Sequence, residues 1–260
     1  MTTVRYERYV AIGDSSTEGI ADGDPRRGWH GWSRRLAERI ALAQGGLEYA
    51  NLAVRGLTTR EVLDHQLERA LALRPGLASA FTGTNDVLAR RFDVRAFAND
   101  TLRMQSALRA SGATVVTFTL PDLTPLLPIA AALAPRIRAM NEALRATCET
   151  TGTVLVDFAA HPVATDARLW HPDRLHANPA GHARIAEALA EALGLPGADA
   201  TWRDPLPTSP PPGPLAVAAR EAHWVARFLL PWAVMGLVAP LRPRRIGPGP
   251  QPDLRAVEPR

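Results

Sequence analysis

The stretch Tyr9-Val-Ala-Ile-Gly-Asp-Ser-Ser-Thr-Glu-Gly19 decides the fold of this 260-residue chain. It begins with a short apolar run, residues 9–12, which predicts a buried strand. The small and polar residues Gly13-Asp14-Ser15 follow that strand without a break. In parallel α/β sheets, the reactive groups collect at the carboxyl ends of the strands, where the loops are free to vary. The end of this first strand is therefore a candidate functional site.

The same alternation of short apolar runs and longer amphipathic runs continues to residue 195. Further strands are predicted over residues 47–52, 77–81, 115–120 and 153–158. Helices are predicted over residues 31–43, 59–73, 93–110, 136–150 and 179–193, and Asn178 is placed to cap the last of them. Because strands that alternate with helices form parallel sheets, we expect a three-layer α/β/α domain with a mostly parallel central sheet.

The positive charge of the chain is concentrated near its C-terminus. The formal net charge is +4, and residues 201–260 hold eight arginines and four acidic residues. Residues 1–200 are therefore neutral overall, which argues against nucleic acid as a partner. Hydrophobic residues make up 46% of the chain and charged residues 22%, as is ordinary for a soluble globular protein.

Cysteine content and hydropathy bear on the location of the protein. The single cysteine, Cys148, excludes an internal disulfide and favours a cytoplasmic location. The apolar run at residues 9–12 is too short for the hydrophobic region of a signal peptide. No stretch reaches the roughly 18–20 apolar residues that a membrane-spanning helix needs. We therefore expect a cytoplasmic protein, with peripheral contact with a membrane as an alternative.

The character of the sequence changes near residue 197, since 13 of the 23 prolines lie in residues 201–260. We expect a compact domain over residues 1–196, a proline-rich linker over 197–214, an amphipathic helix over 215–239 and a disordered tail rich in proline and arginine over 240–260. The apolar face of that helix is predicted at Leu215, Ala218, Ala222, Val225, Leu229, Trp232 and Met235. Two roles stay open for it: a membrane-surface anchor through residues 215–245, or packing on the domain or on a second subunit.

Polar motifs follow the predicted strands in a fixed order. The first is Gly13-Asp14-Ser15, and the second runs from Asn51 to Gly56. The third is Gly83-Thr-Asn85-Asp86, and the last pairs Asp173 with His176. Each motif alone is short enough to arise by chance, but four of them at the ends of predicted strands form a strong signal for one site.

This set resembles the SGNH hydrolases, the family of GDSL-like lipases and esterases, whose four motifs occur in the same order over roughly residues 8–195. The resemblance implies an SGNH, flavodoxin-like fold. It implies Ser15 as the nucleophile, His176 as the base and Asp173 as the residue that orients the base. It also implies an oxyanion hole made by the backbone N–H groups of Ser15 and Gly56 and the side-chain amide of Asn85.

The residue types suit this chemistry. A serine hydroxyl is a weak nucleophile until a neighbouring base takes its proton, and a neutral imidazole can do so near neutral pH. A carboxylate that accepts a hydrogen bond from the other ring nitrogen fixes the tautomer and orientation of that base. Glycine at position 56 leaves its N–H open to approach by a substrate.

Several residues near these motifs have expected roles outside catalysis. Asp14, Asp86 and Asn51 are predicted to be structural, because acids and amides beside tight turns usually accept backbone N–H groups. The spacings of the four histidines His161, His171, His176 and His182 match no zinc pattern, so no metal is expected. The Gly-x-Ser-x-Gly elbow and the nucleotide-binding Gly-x-Gly-x-x-Gly motif are both absent from the sequence.

The predicted function is a serine esterase that hydrolyses acyl or acetyl esters of a small metabolite, sugar or lipid through an acyl-serine intermediate, with no cofactor. One alternative is an acyltransferase that uses the same Ser-His-Asp site. A second is a membrane-associated binding protein without catalytic activity. The predicted partner is a small-molecule ester, and the sequence does not choose the acyl chain length or the oligomeric state.

Overall fold

The computed structural model describes residues 5–259 apart from 25, 27, 209, 211–212, 232–233 and 235–245. Its central sheet has six strands. They are β1 (Arg8–Gly13), β4 (Leu47–Asn51), β5 (Leu77–Phe81), β6 (Thr114–Phe118), β7 (Val154–Val156) and β8 (Gln251–Val257), while β2 (Gly23–Asp24) and β3 (Gly28–Trp29) form a separate small ribbon.

The order of strands in the sheet is β7-β6-β5-β1-β4-β8. The first five of these strands pair in parallel, and β8 alone pairs antiparallel, with β4. Taken along the chain, the parallel strands follow the order 2-1-3-4-5 of flavodoxin-like sheets. In such sheets the chain moves in opposite directions from the first strand, and the crevice at that switch point is the usual ligand site. The predicted three-layer fold with a mostly parallel sheet is confirmed.

Helices cover both faces of the sheet. They are α1 (Ser15–Glu18), α2 (Gly31–Gln44), α3 (Thr59–Ala72), α4 (Thr84–Leu88), α5 (Val94–Ala110), α6 (Ala134–Thr151), α7 (Pro179–Ala192) and α8 (Pro214–Trp224). Strand β1 shows how the two layers form, because side chains alternate across a strand. Tyr9 and Ala11 belong to the core cluster that includes residues of α2 and α7, whereas Val10 and Ile12 belong to the cluster with residues of α3 and α5. Burial on both faces explains the continuous apolar run.

The end of the chain departs from the prediction. Residues 240–260 were expected to be disordered, but Gln251–Val257 is strand β8, with Leu47 opposite Val257 and Asn51 opposite Gln251. Val257 is 2% exposed. The strand covers the edge of the sheet that β4 would otherwise leave open, and Pro252 is tolerated in it because an edge strand needs fewer N–H donors. Composition alone favoured disorder, and pairing with a distant strand outweighed it.

The predicted domain boundary at residue 196 is also too early. A short 3-10 helix, Ala200–Arg203, follows α7 and buries Trp202. The indole of Trp202 packs edge-on against Phe158, and its Nε1–H donates to Glu191 Oε2 at 2.6 Å. Residues 200–203 therefore belong to the core of the domain, although the sequence assigned them to the linker.

The C-terminal helix was predicted over residues 215–239, and its described part is α8 followed by a π-helical turn, Val225–Leu229. On the predicted apolar face, Leu215 is 86% exposed and Val225 is 38% exposed. Among the described residues of α8 and this turn, Trp224 is the buried one, and it does not belong to the predicted face. Trp232 and Met235, also assigned to that face, lie outside the described residues. Contact between residues 215–245 and a membrane stays a prediction.

Within the described ranges, no helix has the length and apolar character needed to cross a bilayer.

Candidate active site

Ser15 is the first residue of α1, immediately after β1. The turn before it needs glycine, since a Cβ on Gly13 would lie 2.4 Å from Phe81 O. The amide of Gln66 fixes this turn, because it accepts from Gly13 N at 2.8 Å and donates to Gly13 O at 2.9 Å. Gln66 is buried on α3 and was not singled out from the sequence. A buried glutamine on an otherwise apolar helix face was the signal that could have found it.

His176 bridges Ser15 and Asp173. Its Nδ1 is 2.8 Å from Asp173 Oδ2, and its Nε2 is 2.8 Å from Ser15 Oγ. A carboxylate can only accept, so Nδ1 carries the proton and Nε2 is free to accept from the Ser15 hydroxyl. The structure thus brings the three predicted residues together at hydrogen-bonding distance, although His176 lies 161 positions after Ser15 in the sequence.

The carboxyl group of Asp173 is held in its ionised form. Its Oδ1 accepts from the backbone N–H groups of Leu175 at 2.9 Å and His176 at 3.0 Å. Burial by itself would raise the pKa of Asp173, but the hydrogen bonds from His176 and these N–H groups outweigh it and hold the pKa well below its usual range. A negative charge at this position can orient the imidazole and stabilise it when it takes up a proton.

The other predicted site residues lie at neighbouring strand ends. Gly56 follows β4 and has φ +74°, a left-handed conformation that glycine adopts without strain. Asn85 lies in the first turn of α4, after β5, and its Nδ2 is 3.0 Å from Leu57 O and 3.2 Å from Asp14 Oδ2. Both N–H groups of this amide therefore have acceptors, and donation to an oxyanion requires one of these bonds to be shared or exchanged.

Asp14 is fully buried beside the nucleophile. Its Oδ1 accepts from Ser16 N at 3.0 Å, so it caps α1. Burial raises the pKa of Asp14 to about 7, against the lowering effects of the Ser16 N–H and of His176. Asp14 contacts Asn85 but not the hydroxyl of Ser15 in the described hydrogen bonds.

Asp86 and Asn51 have contacts of the structural kind that the sequence predicted. Asp86 Oδ2 accepts from the N–H and hydroxyl of Thr59, at the start of α3, at 2.9 and 3.0 Å. Asn51 donates to Thr17 O at 2.8 Å and accepts from Ala53 N at 3.0 Å. These bonds tie together the loops that carry the site.

Three further histidines lie near one another in sequence but have separate surroundings. His161 packs edge-on against Trp202, and His171 Nδ1 is 3.0 Å from Asp173 Oδ2. His182 is fully buried, accepts from Trp32 N at 3.1 Å through Nδ1, and donates through Nε2 to Ile20 O at 3.0 Å. In the part of the chain that the structure describes, no three His, Cys, Asp or Glu side chains are grouped so that they could hold a metal ion.

The C-terminal helix contacts the loop that carries Asp173 and His176. The indole Nε1–H of Trp224 donates to Asp173 O at 3.2 Å. The guanidinium of Arg174 forms two hydrogen bonds with Glu221, at 2.6 and 2.8 Å, and lies 4.8 Å from the centre of the Trp224 ring. Arg174 has φ +63°, a conformation that costs a residue with a Cβ about 1–2 kcal/mol. Packing on the domain was one of the two roles that the sequence left open for this helix, but the pairing of residue 174 with residue 221 was not predicted, because nothing in the local pattern links them.

The sequence pattern of the GDSL-like Lipase/Acylhydrolase family matches residues 11–184, and the chain belongs to that family. It is a serine carboxylic ester hydrolase, as the four motifs predicted. The match contains all five predicted site residues and ends before α8. No curated protein matches the chain.

Several solved structures share the fold. LAE5, an enzyme from the metagenome of Lake Arreo, Spain, is 23% identical with a TM-score of 0.60, and the match covers 72% of this chain and 95% of that one. TesA is 23% identical with a TM-score of 0.60, over 72% of this chain and 97% of that one. Axe2, an acetylxylan esterase from Geobacillus stearothermophilus, is 17% identical with a TM-score of 0.62, over 76% of this chain and all of that one. At these identities the likeness establishes the fold.

Proposed function

We propose that this hydrolase cleaves acyl esters of a small molecule through a covalent acyl-Ser15 intermediate. The observation that carries the proposal is the unbroken chain of hydrogen bonds from Ser15 Oγ through His176 to Asp173. That chain supplies an activated nucleophile, a base and a group that orients the base.

The first half of the reaction transfers the acyl group to the enzyme. Ser15 Oγ attacks the carbonyl carbon of the ester while His176 Nε2 takes the hydroxyl proton. The carbonyl oxygen becomes an oxyanion in the tetrahedral intermediate. The bond to the leaving alcohol then breaks, and His176 returns the proton to the departing oxygen. An acyl-Ser15 ester and a free alcohol result.

The second half regenerates the enzyme. His176 takes a proton from water, whose oxygen attacks the acyl carbon, and a second oxyanion forms. Collapse of this intermediate breaks the bond to Ser15 Oγ, which recovers its proton from His176, and the carboxylic acid leaves. Asp173 stays ionised throughout and stabilises the imidazolium of each half, in accord with its low pKa.

Each oxyanion needs donors that are already in place. The backbone N–H groups of Ser15 and Gly56 and the amide of Asn85 are our candidates, since they lie at the ends of three adjacent strands of the sheet. An alcohol in place of water in the second half would make the enzyme an acyltransferase with the same residues. That alternative stays open, and so do acetyl and longer acyl groups as substrates.

The test compares wild type with Ser15→Ala on p-nitrophenyl acetate and longer p-nitrophenyl esters. We expect activity to fall by at least about 10⁴-fold, as for the loss of other serine nucleophiles. A fluorophosphonate should label wild type but not Ser15→Ala, with the added mass on the peptide that contains residue 15. Product analysis with added alcohols separates hydrolysis from acyl transfer. Full activity of folded Ser15→Ala would contradict the proposed mechanism.

A further inference from the structure

A large apolar cavity opens beside Asp173, one of the three proposed catalytic residues. Its empty volume is about 1090 Å³, including the part that is open to solvent at its mouth. Its main apolar walls are Leu88, Leu127, Leu133, Leu175, Phe228 and Leu229. Among the described residues that line it, Asp173 is the one charged residue, and its carboxylate is already engaged by His176. The cavity therefore offers apolar contact and few polar partners, which suits a hydrocarbon ligand.

The position of the cavity relates it to the reacting carbonyl. Leu88 lies at the end of α4, the short helix that carries Asn85, and Leu175 lies beside His176. A carbonyl carbon attacked by Ser15 has the base on one side and the oxyanion donors on the other. The cavity lies between elements that carry both sets of groups, so a chain attached to that carbon can enter it.

The C-terminal segment supplies one wall, through Phe228 and Leu229 in the π-helical turn after α8. This turn follows Trp224, which is buried and donates a hydrogen bond to Asp173 O. Hydrogen bonds between Arg174 and Glu221 also hold α8 in place. The contacts that fix the triad loop (the loop that carries Asp173 and His176) thus also fix this wall of the cavity. This segment lies beyond residues 11–184, so it adds a wall that the family pattern does not contain.

We propose that this cavity binds the aliphatic acyl chain of the ester, and that the C-terminal segment determines a preference for chains longer than acetyl. The inference rests on the proposed acyl-Ser15 mechanism. An acetyl group leaves the apolar walls without contact, whereas each further methylene that enters the cavity is removed from water. Burial of one methylene is expected to raise kcat/KM by up to about fourfold, until the chain fills the cavity.

The experiment measures kcat/KM of the full chain for p-nitrophenyl esters from acetate to decanoate, below their critical micelle concentrations. Ala132 lines the cavity and is exposed, so Ala132→Trp fills the space without disturbing the core. Ala131→Trp is the matched control, because Ala131 is also exposed but is not a lining residue. A second variant, Phe228→Ala, removes part of the C-terminal wall. Its control is Leu215→Ala, which removes an exposed leucine of α8 that does not line the cavity.

For wild type we expect kcat/KM to be higher for decanoate than for acetate. The ratio of the two should fall at least tenfold in Ala132→Trp and about three- to tenfold in Phe228→Ala, and should change less than twofold in both controls. In the Ser15→Ala background, calorimetry should show that decanoate binds more weakly when Ala132→Trp is added and, to a smaller extent, when Phe228→Ala is added.

Two results would overturn the inference, and they are distinguishable. In the first, wild type hydrolyses the acetate ester through Ser15, but the ratio of kcat/KM for decanoate to that for acetate is the same in Ala132→Trp and Phe228→Ala as in wild type. The acyl chain then binds elsewhere. A smaller apolar cavity of about 640 Å³, which shares Leu175 and includes Ser16, is the other place for it. If folded wild type hydrolyses no ester of the series, the proposed function fails together with the inference.

Discussion

Residues 11–184 and the segment from residue 213 onward contribute to the same site by different means. In the first region, Ser15, Gly56 and Asn85 follow three adjacent strands of the parallel sheet, whereas Asp173 and His176 lie in the long connection between β7 and α7. The second region reaches back over long distances in sequence. It contacts the triad loop through Trp224 and extends the sheet through β8, which pairs with β4 about 200 residues earlier.

The difference concerns how each contact is encoded. A motif at a strand end has its position set by local sequence and by the regular geometry of a parallel sheet. The docking of α8 depends on which of its faces meets a complementary surface. Val217, Glu221, Trp224 and Phe228 share the less exposed face, while the more regular stripe of Leu215, Ala218 and Ala222 is exposed. Local regularity therefore located the site but misplaced the contact surface of the helix.

After the loss of Ser15, the largest effect is expected in the first region, for Asn85→Ala. If Asn85 donates to the oxyanion, kcat should fall about 10²–10³-fold while KM changes less, because the bond is strongest in the transition state. Steady-state kinetics on p-nitrophenyl esters measures both constants, with thermal unfolding as a check of the fold. A fall in kcat of less than tenfold would mean that Asn85 acts mainly through its hydrogen bonds to Leu57 O and Asp14. Its role would then be structural, like that of Asp86.

A pH-dependent effect is expected for His182, which ties α7 to the start of α2. Burial lowers the pKa of His182 to about 4 from its ordinary 6.5, although the Ile20 carbonyl opposes this. The unfolded chain therefore binds the proton first as pH falls. The stability contributed by the neutral ring is complete above about pH 7 and is lost between about pH 6.5 and 4.

The test is His182→Gln, which keeps one donor and one acceptor but does not titrate. Lowering the pH from 7 to 5 should reduce the free energy of unfolding by about 2 kcal/mol more in wild type than in the variant, by the linkage of about 1.4 kcal/mol per pH unit. Denaturant unfolding at both pH values measures this, and the opposite contribution of Asp14 cancels in the difference. The control is Val257→Ala in β8, whose difference from wild type should not depend on pH. A pH-independent difference for His182→Gln would mean that His182 does not stay neutral in the fold.

The smallest effect is expected in the second region, for Trp224→Phe. This change keeps most of the buried ring but removes the N–H that donates to Asp173 O. A hydrogen bond of this kind is worth about 0.5–1.5 kcal/mol. If it positions Asp173 for the transition state, its loss should lower kcat about two- to tenfold, with KM for acetate little changed. Leu215→Ala, on the exposed side of the same helix, should leave kcat unaltered. If Trp224→Phe matches wild type in kcat, the helix forms a wall of the site without positioning the triad.

Much of the fold could be predicted because buried parallel strands read as continuous apolar runs. The five parallel strands and the long helices of residues 31–193 lie within a few residues of their predicted bounds. Strand β8 could not be predicted, since Gln251-Pro-Asp-Leu-Arg-Ala-Val257 has the composition of a disordered segment and becomes a strand only beside β4. The burial of Trp202 is of the same kind, because its partners Phe158 and Glu191 are distant in sequence.

The sequence by itself determined the family, the α/β/α layering and the identity of the residues that meet at Ser15. It could do so because those properties depend on motifs of a few residues and on the periodicity of strands and helices. Only the tertiary structure decided that Gln66 holds the turn before the nucleophile, that Trp224 and Glu221 contact the triad loop, and that an apolar cavity opens beside it. These features are contacts between surfaces far apart along the chain, and their energies depend on shapes that exist only when the core is packed.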